Sequence, residues 1–286
     1  MAVPSSGSLS LFGIAKEIHL DNYNNTVPAP GSGGTNWSQL GYPSISLKNM
    51  STGAGGFDAI NTANASADRP NGSSPHNTSE FYSYDHDAVS ITQIGSTYSG
   101  AYSCSSWQNI SIPVSAYKGK TVRFIFHYVS GTNYTGDIQI DQVGFPTLEY
   151  FQSNVIWVQT TNTFGSSSFT ASSLGNGGGV WQTTTSDTSS YESASWATVA
   201  AGTSFLRWNG RSGGTPSGST GLSSGYGGSG FYVYAETSSS GHSNKNFWLR
   251  SGTHQIPSQV GTPYFGFRLG RCGATIGTLE VYIEEI

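Results

Sequence analysis

A glycosidase acting on this chain would need two carboxylates facing one another across a groove. Glu280 and Glu284 share one face of an alternating run, but they stand four residues apart along it, and Glu285 follows at the end of the sequence. A solvated strand face is the expected role for all three. Asp137 and Asp141 also share a face, and with loop carbonyls could hold a hard cation. No dense Asp/Asn run surrounds them, so structural hydrogen bonding is expected there instead. His76, His86 and His127 have no partner residues at metal-ligand spacing, and Asp85-His86-Asp87 reads as polar surface that contacts a neighbour. Trp196, Trp208, Tyr226, Tyr232, Tyr234 and Trp248 could form a platform for stacking sugars, although aromatic residues in alternating runs are mostly core. Tyr226 stands apart, because it sits inside the glycine-rich SSGYGGSG. Cys104 and Cys272 are the two cysteines; they could form one bridge, which is not a disulfide framework. The sequons at Asn36 and Asn64 are what chance supplies in a chain this rich in Asn, Ser and Thr. No catalytic, cofactor-binding or metal-ligating set is therefore assigned, and the chain is expected not to be an enzyme.

These groups must be positioned by strands. Residues 121–128 (TVRFIFHY) place Val122, Phe124, Phe126 and Tyr128 on one face, and residues 137–143 (DIQIDQV) do the same for Ile138 and Ile140. Ile110, Ile112 and Val114 alternate ahead of them. Period-two alternation marks half-buried strands. The Gly/Asn/Thr-rich residues 130–136 and the Lys118-Gly119-Lys120 turn separate the runs. Three consecutive antiparallel strands with one apolar face are the grammar of a β-sandwich. Further strands are expected at 155–158, 195–199, 231–235, 246–250, 264–269 and 278–283.

Composition agrees with that class. Across 286 residues the chain has 38 glycines, 10% charged residues and 13% aromatics, which suits a turn-dense all-β protein with little helix rather than a disordered chain. A net charge of −4 without a Lys/Arg cluster argues against nucleic acid as a partner. No apolar run is long enough to cross a bilayer, and the N-terminus lacks the basic and apolar regions of a secretion signal.

The stretch at 107–145 resembles the end of a MAM-type domain and, more widely, the jelly-roll adhesion and carbohydrate-binding domains. The resemblance rests on Trp107, Gly119, Lys120, Val122, Arg123, Phe124, Gly136, Asp137, Ile138, Ile140, Asp141 and Val143. A second MAM-like pattern runs from Trp208 through Gly214-Thr215-Pro216 and the 231–236 strand to Phe265, Phe267, Gly270, Gly273, Ile276, Gly277, Leu279, Val281 and Tyr282. Cys272 departs from it, lying where the family carries an aromatic residue or methionine. The two halves are also in reverse order relative to the family. Either the chain is one circularly permuted jelly roll, or 91–150 and 151–286 are separate sandwiches. A strand with nothing after it would leave an unpaired edge, which permutation would repair.

Residues 1–90 have apolar residues spaced so sparsely that an extended arm is expected, ordered only by packing on a partner. Residues 9–15 read as a strand or a single helical turn, and residues 45–50 as strand-like. Ser8-Leu9-Ser10, Ile14-Ala15-Lys16-Glu17 and Phe81-Tyr82-Ser83-Tyr84-Asp85-His86 resemble virion structural proteins of marine tailed phages, cyanophages in particular. That resemblance implies a particle component assembled in the host cytoplasm. Residues 1–90 would anchor it and 91–286 would form a displayed jelly roll, serving as a decoration, fibre or tail appendage. Its implied partners are other virion proteins, copies of itself and host-surface glycans. The rival expectation is an adhesin that binds polysaccharide through the jelly roll. A depolymerase would need the carboxylate pair not found above.

Overall fold

The computed structural model describes residues 2–64, 66–86, 88–144, 164, 168–169, 180–216, 220–237, 243–258 and 261–286. The expected strand at 155–158 lies outside them, as does Asp87. The chain divides into two compact units, Met1–Ser90 and Ile91–Ile286.

Met1–Ser90 has a core of its own, which replaces the extended arm read from the sequence. Helix α1 (Leu11–Leu20) starts where the Ser10 hydroxyl accepts from the Gly13 N–H at 3.1 Å, and it ends on Asp21 in the left-handed region, with φ 50°. Helix α2 (Leu47–Thr52) is capped in the same way by Ser46 and stops at Gly53. It falls on the stretch read as strand-like, because an N-cap serine and a C-cap glycine outweigh a short apolar alternation. Ile14, Ile18, Trp37, Met50, Phe81 and Tyr84 are fully or almost fully buried together. Few apolar residues suffice here because several are large rings, and each buries far more area than an aliphatic side chain. The buried Glu17 carboxylate accepts from the Tyr23 N–H at 2.8 Å and the His86 N–H at 3.1 Å, which ties the two ends of the unit together. The Asp85-His86 pair thus packs inside its own unit: the Asp85 N–H donates to Asn64, and Nδ1 of His86 lies 2.8 Å from the Tyr84 hydroxyl.

Ile91–Ile286 is all-β. Its strands are β1 (Ile91–Ser99), β2 (Gln108–Pro113), β3 (Thr121–Val129), β4 (Ile138–Gly144), β5 (Gln182–Thr184), β6 (Trp196–Thr198), β7 (Trp208–Ser212), β8 (Phe231–Ala235), β9 (Asn246–Gln255), β10 (Tyr264–Arg271) and β11 (Thr278–Glu285). They form two antiparallel sheets, ordered β1-β11-β3-β9-β5-β6 and β2-β10-β4-β8-β7. One hydrophobic core lies between them; Phe124 of the first sheet stacks on Phe265 of the second at 3.8 Å.

Two expectations change here. β2, β3 and β4 do not pair with one another. β2 and β4 flank β10, whereas β3 lies between β11 and β9 in the other sheet. Alternation identifies which face of a strand is buried but not its neighbour, so consecutive runs can belong to opposite sheets. Likewise β11 is no edge strand, since it pairs with β1 on one side and β3 on the other. The unpaired edge that favoured permutation is absent from it. β3 and β4 also pair with strands of the 151–286 half, so the two halves share one core rather than forming separate sandwiches.

The loops that join the sheets at one end are knitted together. Cys104, between β1 and β2, is bonded to Cys272 just after β10. The Thr135 and Thr275 hydroxyls meet at 2.9 Å, and the Lys245 N–H donates to the Ser130 hydroxyl at 2.9 Å.

Candidate functional site

The polar residues of β4 alternate on the solvent side of the second sheet and fasten the long loop between β7 and β8. Asp137, just before the strand, accepts from the Thr237 N–H at 2.9 Å, the Thr237 hydroxyl at 3.0 Å and the Thr220 hydroxyl at 2.9 Å. Gln139 accepts from the Leu222 N–H at 2.6 Å and donates to the Leu222 carbonyl at 3.3 Å. Asp141 accepts from the N–H groups of Gln142 at 2.7 Å and Tyr226 at 2.8 Å. All three side chains are fully buried beneath the loop they hold. The loop lies so close that a Cβ on Gly270 of β10 would come within 3.0 Å of the Leu222 side chain, and one on Gly225 of the loop within 3.2 Å of the Asp141 carboxylate. A hard cation needs oxygen acceptors turned towards it, whereas these carboxylate oxygens face N–H and O–H donors. The arrangement is a hydrogen-bonded strap.

Burial pushes both carboxyls up to about 6, against the pull of their donors; the nearby Glu236 charge adds to the rise at Asp137. The folded form therefore holds protons more tightly than the unfolded chain, whose carboxyls titrate near 3.8. The stability these groups add is fully present below about pH 4 and is lost as pH rises through about 6. Their contribution to the urea midpoint is expected to be larger at pH 5 than at pH 7.5. Asp137→Asn should flatten that dependence at little cost, because the Thr220 hydroxyl can reverse its hydrogen bond towards the new amide. Asp141→Asn should cost about 1–3 kcal/mol, since an amide nitrogen would then face a backbone N–H. Equal losses in the two variants, read from urea unfolding, would contradict the strap geometry.

The six aromatic residues singled out in the sequence separate into four places. Trp208 is buried in the core. Tyr232 and Tyr234 lie buried on the second sheet, with their hydroxyls donated to the carbonyls of Gly213 and Gly202. Half-buried Tyr226 carries the Arg268 guanidinium over its ring at 4.4 Å. Trp196 and Trp248 belong to the first sheet, on the side away from the core, and there the structure adds residues that the sequence did not bring forward.

On that face Glu280, His127 and Trp248 stand opposite one another across β11, β3 and β9. The His127 ring stacks on Trp248 at 3.7 Å, with Tyr282 6.1 Å from the same indole. Tyr191, from the β5–β6 loop, lies 5.6 Å from Trp248 and 5.3 Å from Trp196, so five rings run across the sheet. Polar side chains hold them in place. The Tyr282 hydroxyl donates to Glu280 at 2.6 Å, His127 Nε2 lies 3.0 Å from the Asn246 oxygen, and Trp248 Nε1 donates to the Thr188 carbonyl at 2.9 Å. Arg250 reaches Gln182 at 2.9 Å and lies over Trp196 at 3.9 Å. Burial lowers the His127 pKa, with Asn246 and Glu280 opposing, so the ring is neutral at pH 7.

Glu284 does not face solvent as read from the sequence. It is buried, paired with Arg123 at 2.7 Å, and accepts from the Tyr191 hydroxyl at 2.7 Å. Glu280 remains partly exposed. His76 contacts the Ser51 hydroxyl in the other unit. Among the described residues, no three His, Cys, Asp or Glu side chains are grouped to hold a metal ion, and no helix is long and apolar enough to cross a membrane. Spacing within β11 and β9 could have exposed the ring row, because Tyr282 and Trp248 alternate with core residues. Their neighbours across the sheet required the strand order. Comparison with protein-family models, curated proteins and solved structures finds no match.

Proposed function

We propose that this chain is a non-enzymatic structural protein of a virion, in which Met1–Ser90 attaches to the particle and Ile91–Ile286 is displayed as a decoration, fibre or tail-appendage domain. The observation that carries the reading is the use of polar groups in the larger unit. Asp137, Gln139, Asp141 and Glu284 all fasten loops, so the acidic residues best placed for chemistry serve rigidity. The phage-like wording of residues 1–90 supports the same reading. In the finer fold reading, β1-β11-β3-β9 facing β2-β10-β4-β8 is a jelly roll in which the chain steps from sheet to sheet, with β5, β6 and β7 inserted between its fourth and fifth strands. That order needs no permutation, and the MAM-like residues at 122–143 and 231–282 fall within it, whereas Trp208 and Gly214-Thr215-Pro216 lie on the inserted β7 and the loop after it. Several displayed copies would combine weak contacts into firm attachment.

The test is gold-conjugated antibody against residues 151–286 on purified particles. Label over the capsid is expected for a decoration, and label at the tail for an appendage. Intact particles that bind no antibody would overturn outward display.

A second reading, an adhesin for host-surface polysaccharide, is favoured by the partly exposed ring row of the first sheet.

A further inference from the structure

We infer that the outer face of β11, β3, β9, β5 and β6 binds an uncharged polysaccharide strand, stacked on Tyr282 and Trp196 with Glu280 and Arg250 supplying hydrogen bonds to its hydroxyls. This rests on the second reading above and commits it to one face and one ligand class.

The solvent side of a strand does not need rings, and most of the exposed positions among the described residues are Ser, Thr or Gly. Here Trp196 and Tyr282 are each partly buried, which leaves ring area open to solvent, while the His127 ring, only 12% exposed, and the Trp248 indole stacked on it lie between them as a support. Rigid rings held by neighbouring hydrogen bonds lose little freedom when a ligand settles on them. A pyranose presents C–H groups on its faces and hydroxyls around its rim, so it matches rings bordered by polar side chains. The Glu280 carboxylate has about four acceptor positions. Tyr282 and Thr97 occupy two of them, which leaves capacity for sugar hydroxyls.

Charge selects among partners. Arg123 is paired with Glu284, Lys120 with Glu285 and Lys245 with Asp187, which leaves Arg250 and Glu280 on these strands, one of each sign. Nucleic acid or a sulfated polymer would need a positive excess. A protein partner would favour an exposed aliphatic patch. Among the described residues of this unit, the exposed large apolar side chains, Tyr102, Tyr134, Val180, Phe205 and Ile286, lie outside these strands.

The test uses the full chain and affinity electrophoresis through gels containing a neutral glucan, mannan or galactan, with dextran sulfate as the charged probe. Retardation by at least one neutral polymer is expected. Trp196→Ala and Tyr282→Ala should each weaken it about tenfold or more, as the loss of a central aromatic anchor does. Glu280→Gln keeps the shape and should weaken it several-fold, which guards against a variant that fails to fold. Tyr226→Ala, on the other sheet, should leave it unchanged. Loss of retardation only in Tyr226→Ala would overturn this face while the adhesin reading stands. Retardation by dextran sulfate alone would overturn the ligand class. Migration unaffected by every polymer would overturn both.

Discussion

Cutting the Cys104–Cys272 bond, by reduction or by the double replacement Cys104→Ser with Cys272→Ser, is expected to destabilise the Ile91–Ile286 unit by about 3–5 kcal/mol. The cysteines are 168 residues apart, and a cross-link that closes so long a loop removes much of the unfolded chain's freedom. Hydrogen bonds hold the same two segments together beside the bond. The N–H groups of Tyr102 and Ser103 donate to the Arg271 carbonyl at 2.9 and 3.3 Å. The Arg271 guanidinium in turn donates to the carbonyls of Ser99 and Gly100 and to Gln108. The reduced protein should therefore keep its circular dichroism spectrum and unfold at a lower urea concentration. Identical midpoints with and without reductant would mean that the unfolded chain is already as compact as the bridge makes it.

Gly277→Ala is expected to cost about 3 kcal/mol, the upper part of the range for overpacking. At that glycine a Cβ would lie 1.9 Å from the Val129 carbonyl oxygen and 2.7 Å from the Gly131 N–H nitrogen, both of them backbone atoms that cannot swing aside. The Gly277 N–H also donates to the Tyr128 hydroxyl at 3.0 Å, and that hydroxyl donates onward to the Gly136 carbonyl at 2.5 Å. Pushing the β10–β11 turn outward would break a hydrogen-bond chain buried at the end of the core. For a unit of this size the loss corresponds to a melting point lower by roughly 6–12 °C. Gly214→Ala is the control, because a Cβ there meets nothing within 4 Å; it should leave the melting point unchanged or slightly higher. Similar melting points for the two variants would refute the close approach at Gly277.

The all-β class and most strand positions were legible because alternation is a local property: Val122, Phe124, Phe126 and Tyr128 announce β3 without reference to anything else. Partnership is not local. Nothing within residues 108–144 says that β3 joins β9 and β11 while β2 and β4 join β10, since every pairing in register buries the same faces. The roles of Asp137 and Asp141 were read in outline from their position on one face. Their partners, Thr220, Thr237 and Tyr226, lie more than eighty residues away and needed the fold. Residues 1–90 misled for a different reason: counting apolar residues overlooks how much of a small core Trp37, Phe81 and Tyr84 fill by size alone. Of the ring row the sequence singles out Trp196 and Trp248 as stacking residues; His127 and Tyr282 sit in separate strands, and only the strand order joins them to the row.

The placement of β11 between β1 and β3 bears on how the protein is made. During translation β1 emerges early, yet the strand that hydrogen-bonds to it leaves the ribosome only after β2 to β10 have been synthesised. Until then β1 and one edge of β3 stay open, as templates for mispairing with other nascent chains. Met1–Ser90, whose core draws only on its own residues, can fold while the rest is still being built. A ribosome that stalls late would thus release a finished first unit joined to an incomplete sheet, a product that proteases can recognise.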